Sequence, residues 1–180
     1  MTVNPVPSAI TGTTSVCVGA TTTLSSSPGG GTWTSSSGAA TVGASTGVVT
    51  GVSAGTPTIS YALPTGCAAA TTPVSVNAQP AAITGAGTVC PGSTLSLSDA
   101  TAGGTWTSSN TSVATIGSTT GILHSLVPGH TNITYTLPTG CTVTEAVTVI
   151  SLPAPISGSM QVCNGFSTTL TDAGGGGWYS

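Results

Sequence analysis

Cysteine supplies the clearest chemistry in this sequence. Cys17, Cys90 and Cys163 recur with a period of about 73 residues, and Cys67 and Cys141 keep nearly the same spacing. A metal site needs clustered Cys and His ligands, and these spacings supply none. A catalytic thiol would not be copied once per repeat. Disulfides are therefore the expected chemistry, and they imply an oxidising, extracellular setting. Two pairings are open. The simpler joins Cys17 to Cys67 and Cys90 to Cys141, each closing a loop of about 50 residues worth roughly 4 kcal/mol in the chain-entropy model. The other follows if Cys17, before the first turn of its unit, and Cys67, at the start of the last strand, lie at opposite ends of the sandwich; Cys17 then sits nearer the next unit's Cys141, and the bonds staple adjacent domains. Under either pairing, Cys163 needs a partner beyond these 180 residues.

The remaining reactive groups are sparse. Gly51-Val52-Ser53-Ala54-Gly55 fits the G-x-S-x-G pattern of a hydrolase nucleophile, but that pattern needs a strand-to-helix elbow with His and acid partners. Here a further strand follows, the first unit has no histidine, and the second has Val127 at the serine position. His124 and His130 replace Thr50 and Thr56 of the first unit and read as surface residues, since no spacing suggests a third ligand beside Glu145. Asp99 and Asp172 precede the glycine turns, where Asp commonly caps a turn. No pair of carboxylates is placed for glycoside hydrolysis, and calcium needs more oxygens of this kind. Asn110-Thr111-Ser112 and Asn132-Ile133-Thr134 fit the glycan acceptor pattern. Catalytic, cofactor-binding and metal residues are all expected to be absent.

The elements that hold the cysteines are written in a repeated text. Gly30-Gly31-Thr32-Trp33-Thr34-Ser35-Ser36 returns as Gly103-Gly104-Thr105-Trp106-Thr107-Ser108-Ser109, and Gly176-Gly177-Trp178-Tyr179-Ser180 begins a third copy. Each copy lays one large ring between small β-formers after a glycine turn, the pattern of a strand that carries a single core side chain. Trp33, Trp106 and Trp178 are thus expected in the core, one in each copy of the repeat. Such a period fixes the architecture. Roughly a third of the chain is Ser and Thr, with 26 Gly and 12 Pro marking the turns. In the first unit, short strands follow one another about every ten residues, which reads as a β-sandwich. Ile59, Tyr61 and Leu63 share one face of such a strand by period two.

The expected organisation is a closing strand of a preceding repeat at 1–6, full repeats at 7–77 and 78–150, and the first half of a third at 151–180. The proline-bearing links Asn77-Ala78-Gln79-Pro80 and Ser151-Leu152-Pro153-Ala154-Pro155 favour an extended rod. Charge narrows the partners. There is no Lys or Arg and only three acids, a net charge of −3, so nothing neutralises phosphates or anionic lipid. No run approaches the ~18 apolar residues of a membrane-spanning helix. No charged and apolar leader segment is evident either.

The text resembles the bacterial immunoglobulin-like repeats of large surface and secreted proteins. The resemblance lies in Gly31-Thr32-Trp33-Thr34-Ser35-Ser36, Ala40-Thr41-Val42 and above all Gly47-Val48-Val49-Thr50-Gly51-Val52-Ser53-Ala54-Gly55-Thr56. In the second unit it lies in Ser112-Val113-Ala114-Thr115-Ile116, Thr120-Gly121-Ile122 and Pro128-Gly129. Val16-Cys17 and Gly66-Cys67 look like the cysteine-bearing variants of Bacteroidetes-type bacteria. It implies an all-β tandem array of immunoglobulin-like β-sandwiches at the cell surface, one per period of the sequence, the last one incomplete. The function expected is non-enzymatic and structural, a stalk or surface filament that meets copies of itself head to tail or further repeats of the same chain. An adhesin that binds surface glycans is the alternative.

Overall fold

The structure is a computed structural model that describes residues 3–158 and 161–171. Among these, every regular element is a strand. Thr and Val dominate the strands, and their branched β-carbons suit a pleated surface better than a helix. The chain divides into two compact units: Met1–Ala82 with Asp99–Thr105 and Tyr135–Val143, and Ile83–Ser98 with Trp106–Thr134 and Thr144–Ser180.

In the first unit the strands are β1 (Ser15–Cys17), β2 (Thr21–Thr23), β3 (Thr32–Ser35), β4 (Ala40–Val42), β5 (Val48–Gly51), β6 (Thr58–Ala62), β7 (Ala69–Pro73) and β8 (Ser75–Asn77). They form one sheet in the order β2-β5-β4, another in the order β3-β6-β7, and a parallel pair β1-β8. Alternation selects the buried face. Ile59 and Tyr61 of β6 point inward between exposed or half-buried neighbours, and Trp33 lies opposite Tyr61 in the antiparallel register. Val16, Leu24, Trp33, Val49, Ile59 and Val74 are among the residues that fill the core. Burying each such chain contributes about 1.5–3 kcal/mol. β7 is an edge strand with alternating half-buried residues, and Pro73 at its end has no N–H to offer a further strand.

Strands β9 (Thr88–Val89), β10 (Thr94–Ser96), β11 (Thr105–Ser108), β12 (Ala114–Ile116), β13 (Ile122–Ser125), β14 (Gly129–Thr136) and β15 (Thr142–Val149) repeat the scheme. Their sheets run β10-β13-β12 and β11-β14-β15-β9, with β9 again parallel to its partner. Leu97, Trp106, Leu123, Ile133 and Val147 are buried. One small feature appears in all three copies of the text. Thr11 bridges Ser25, Thr84 bridges Ser98, and Ser157 bridges Thr171, each pair antiparallel and at the same separation in sequence.

Two glycines explain how a large ring fits a small core. Gly47 has φ +68° and Gly121 φ +66°, and a β-carbon at either would strike the carbonyl of Leu24 or Leu97 and press on the indole of Trp33 or Trp106. Glycine allows both the left-handed turn and the close approach.

Candidate functional site

The cysteines meet where the first strand of a repeat lies parallel to its last. In the β1-β8 pair, Ser15 faces Ser75, Val16 faces Val76 and Cys17 faces Asn77. The Asn77 side-chain amide donates to Ser15 Oγ at 2.8 Å, and Gln79 Nε2 donates to Val18 O at 3.0 Å. Gly51 leaves room behind the pair, since a β-carbon there would strike Cys17 O and Val76 Cγ1. Cys17 is thereby held half-buried at the end of a strand.

Its partner is Cys141. That residue follows the turn Pro138-Thr139-Gly140, which is closed by Gly140 N–H to Leu137 O and Leu137 N–H to Cys141 O, both at 2.9 Å. Cys141 is 1% exposed and bonded to Cys17 with the α-carbons 5.7 Å apart, inside the usual range for a disulfide. Its sulfur rests 4.0 Å from Asn77 O.

This corrects the simpler pairing. Neither Cys17–Cys67 nor Cys90–Cys141 forms, and Cys67, Cys90 and Cys163 are free and exposed. The reason is strand length. Cys67 precedes β7 and Asn77 ends β8, so Cys67 and the residue facing Cys17 are separated by a nearly continuous extended run of about ten residues. At about 3.3 Å per residue that is some 30 Å, several times the span of a disulfide. In the second repeat, Cys141 precedes β15 and Val89, next to Cys90, faces Val149 at its far end.

Two polar devices fix the loops around these positions. Ser125 is 2% exposed; its hydroxyl lies 2.6 Å from Cys90 O and 2.9 Å from Ser93 O, and it accepts Ser93 N–H at 3.1 Å. Tyr61 OH donates to Pro28 O at 2.9 Å and accepts Gly31 N–H at 2.8 Å. Tyr135 repeats this with Thr101 O at 2.6 Å and Gly104 N–H at 2.8 Å. Each tyrosine therefore ties down the glycine turn that precedes a tryptophan. The sequence carried a signal for it, Tyr61 and Tyr135 each standing about 30 residues after the Gly-Gly-Thr-Trp of its repeat, but burial alone does not reveal the hydroxyl's partners.

The other candidates are dispersed. Trp33 and Trp106 are each 6% exposed, and Trp33 lies against Tyr61 with ring centroids 4.6 Å apart. Trp178 and Asp172 lie outside the described residues. His124 belongs to β13 and His130 to β14, in different sheets, and His130 Nδ1 contacts Thr148 Oγ1 at 3.0 Å. Among the described residues, no three His, Cys, Asp or Glu side chains gather as a metal site. Gly51-Val52-Ser53-Ala54-Gly55 joins β5 to β6, with Gly55 bridged to Val76, so no helix follows Ser53. Asp99 Oδ1 caps its turn by accepting Thr101 N–H at 2.6 Å. Asn110 Oδ1 accepts from Ser112 Oγ at 2.6 Å. No helix among the described residues is long and apolar enough to cross a membrane.

A solved structure shares this fold. The C-terminal 282-residue fragment of intimin, determined in complex with the intimin-binding domain of the translocated intimin receptor, is 15% identical. It matches over 83% of this chain and 67% of its own, with a TM-score of 0.55. The fold is a tandem immunoglobulin-like β-sandwich. Looser likenesses include two surface proteins. One is a SusE-like surface-located polysaccharide-binding protein of Bacteroides thetaiotaomicron (11% identity, 81% of this chain and 34% of that one, TM-score 0.41). The other is surface layer protein SbsC domains 1–6 (23% identity, 78% and 25%, TM-score 0.31). No family model matches the chain. No curated protein matches it either.

Proposed function

We propose that this protein is a non-enzymatic, extracellular structural repeat protein that builds a stalk or a surface filament. The observation that carries this reading is the Cys17–Cys141 bond, which ties the first cysteine of one repeat to the second cysteine of the next. A crosslink that steps from repeat to repeat serves continuity along an array. It also requires an oxidising compartment. The repeats of that array are 7–77 and 78–150, flanked by the closing strand at 1–6 and the opening half at 151–180.

Mechanics follow from the crosslink. Tension applied at the two chain ends passes through the Cys17–Cys141 bond and bypasses the residues between them. The absence of Lys and Arg removes every cleavage site of trypsin-like proteases, which suits an exposed fibre. The glycan-binding alternative gains nothing from Trp33 or Trp106, since rings 6% exposed offer no free face for a sugar to stack on.

Negative-stain microscopy of the secreted chain tests the proposal. Open linear assemblies of uniform width are expected, because head-to-tail contacts that do not close give filaments. Monodisperse monomers at all concentrations overturn it.

A further inference from the structure

The first repeat holds a cavity for which the structural role has no use. Its volume is about 390 Å³, within the range of roughly 300–1,000 Å³ of small-molecule sites. Buried Trp33 and Tyr61 form the floor, Gly29-Gly30-Gly31 lines one side, and Ser45 and Thr46 line another. Both walls are turns fixed from within the repeat. The Tyr61 hydroxyl ties down the glycine wall through Gly31 N–H and Pro28 O. The main-chain N–H of Thr46 bonds Gly43 O at 3.1 Å, and that of Trp33 bonds Ala44 O at 2.9 Å, which holds the second wall to the strand that carries the floor. A site shaped before its ligand arrives loses little on binding.

The groups that line this cavity are polar and unsatisfied. Among the described residues, the Trp33 indole N–H, the Ser45 hydroxyl and the Gly30 main-chain N–H find no hydrogen-bond partner. The indole nitrogen is not sealed from solvent either, since the one buried unpartnered side-chain atom among the described residues is Asp99 Oδ2. Trp33 is only 6% exposed, so it meets the cavity with its N–H edge and not with a ring face. Charge narrows the ligand. Residues 7–77 contain no Asp, Glu, Lys, Arg or His, so an ionic ligand would lose its water without gaining a partner. Indole and amide N–H groups only donate, whereas a serine hydroxyl donates and accepts. The matching ligand is neutral and carries several hydroxyl oxygens on a small ring. A peptide strand fits less well, because it pairs with a free strand edge and these walls are turns. In the second repeat, Asp99 stands in place of Ser26 and Ala102 in place of Gly29, which adds an acid and a methyl at the corresponding rim.

We propose that this cavity binds a hexose unit of a neutral glycan. The Trp33 indole N–H and the Gly30 N–H donate to sugar oxygens, and the Ser45 hydroxyl exchanges a hydrogen bond with a further sugar hydroxyl. The site is additional to the structural role of the array, and it gives the glycan alternative a place that the packed ring faces do not.

Titration of the whole, isotopically labelled chain with glucose, galactose, mannose and N-acetylglucosamine, followed by two-dimensional amide NMR, tests this. With at least one of these sugars at millimolar concentration, the Trp33 indole and Gly30 amide peaks should shift saturably while the Trp106 indole peak stays in place. Ser45→Ala should weaken the affinity several-fold. Gly29→Gln should abolish binding without disturbing the fold, because a β-carbon there meets nothing within 4 Å and the residue lies outside the left-handed region. An otherwise unchanged spectrum of that variant verifies its folding. No shift with any of the sugars, equal shifts of Trp33 and Trp106, or binding that survives Gly29→Gln each overturn the proposal. Shifts of the same peaks by the uncharged peptide acetyl-Thr-Val-Thr-amide, with none by the sugars, overturn it as well and assign the cavity to extended peptide. Linear assemblies seen by microscopy bear on the filament reading alone.

Discussion

Cys17 and Cys141 are 124 residues apart in sequence, yet their α-carbons stand 5.7 Å apart in a disulfide that passes over the nearer Cys67 and Cys90. The bond closes the largest loop that any pair among Cys17, Cys67, Cys90 and Cys141 allows. In the chain-entropy model such a loop contributes about 5 kcal/mol. Reduction, or Cys17→Ser, should therefore lower the stability measured in denaturant by that order. Equilibrium urea titrations with and without reductant measure it, and identical midpoints would mean the bond does not constrain the unfolded chain.

Force reads the same topology as a length. Pulled from its two ends, the oxidised chain should extend only through the residues outside the crosslink. Adding reductant under load should then release one step of about 430 Å, since extended chain spans roughly 3.5 Å per residue. Bonds within each repeat would instead release two steps, each less than half as long. Single-molecule extension distinguishes the two outcomes directly.

Trp33 and Tyr61 form one structural unit, with rings in contact and the hydroxyl bound to Gly31 N–H and Pro28 O. Trp33→Ala should cost about 3–5 kcal/mol, as emptying an aromatic core site usually does. Tyr61→Phe keeps the ring but leaves two backbone groups without their partner, and should cost about 1–3 kcal/mol. Chemical denaturation followed by tryptophan fluorescence measures the second, and far-ultraviolet circular dichroism the first.

Gly47 and Gly30 separate backbone strain from crowding. Both have positive φ, +68° and +87°, but a β-carbon meets the Leu24 carbonyl and Trp33 at Gly47 and nothing within 4 Å at Gly30. Gly30→Ala should cost about 1–2 kcal/mol for the left-handed conformation. Gly47→Ala should cost roughly a further 1–3 kcal/mol for overpacking. Equal costs would mean that Gly47 does not pack against the indole.

The fold class was legible in the sequence because its signals are local and periodic. The Gly-Gly-Thr-Trp strand, the alternation through Ile59 and Tyr61, and glycine turns at regular spacing each speak for short strands. The cysteine partners were not legible to the same degree. Which end of the repeat holds Cys17 depends on β1 lying parallel to β8, a pairing between opposite ends of the repeat that no local pattern encodes. Both pairings were therefore open until the register of Cys17 against Asn77 decided between them. Ser125 escaped notice for a related reason. The first repeat has Gly51 at that position, so the hydroxyl that binds Cys90 O and Ser93 O belongs to one repeat only.

Non-reducing peptide mapping of the folded, unlabelled chain is the most direct measurement of all. After elastase cleavage, one peptide pair should join Cys17 to Cys141 and collapse on reduction. Peptides joining Cys17 to Cys67 and Cys90 to Cys141 would contradict it, and would return each crosslink to the interior of its own repeat.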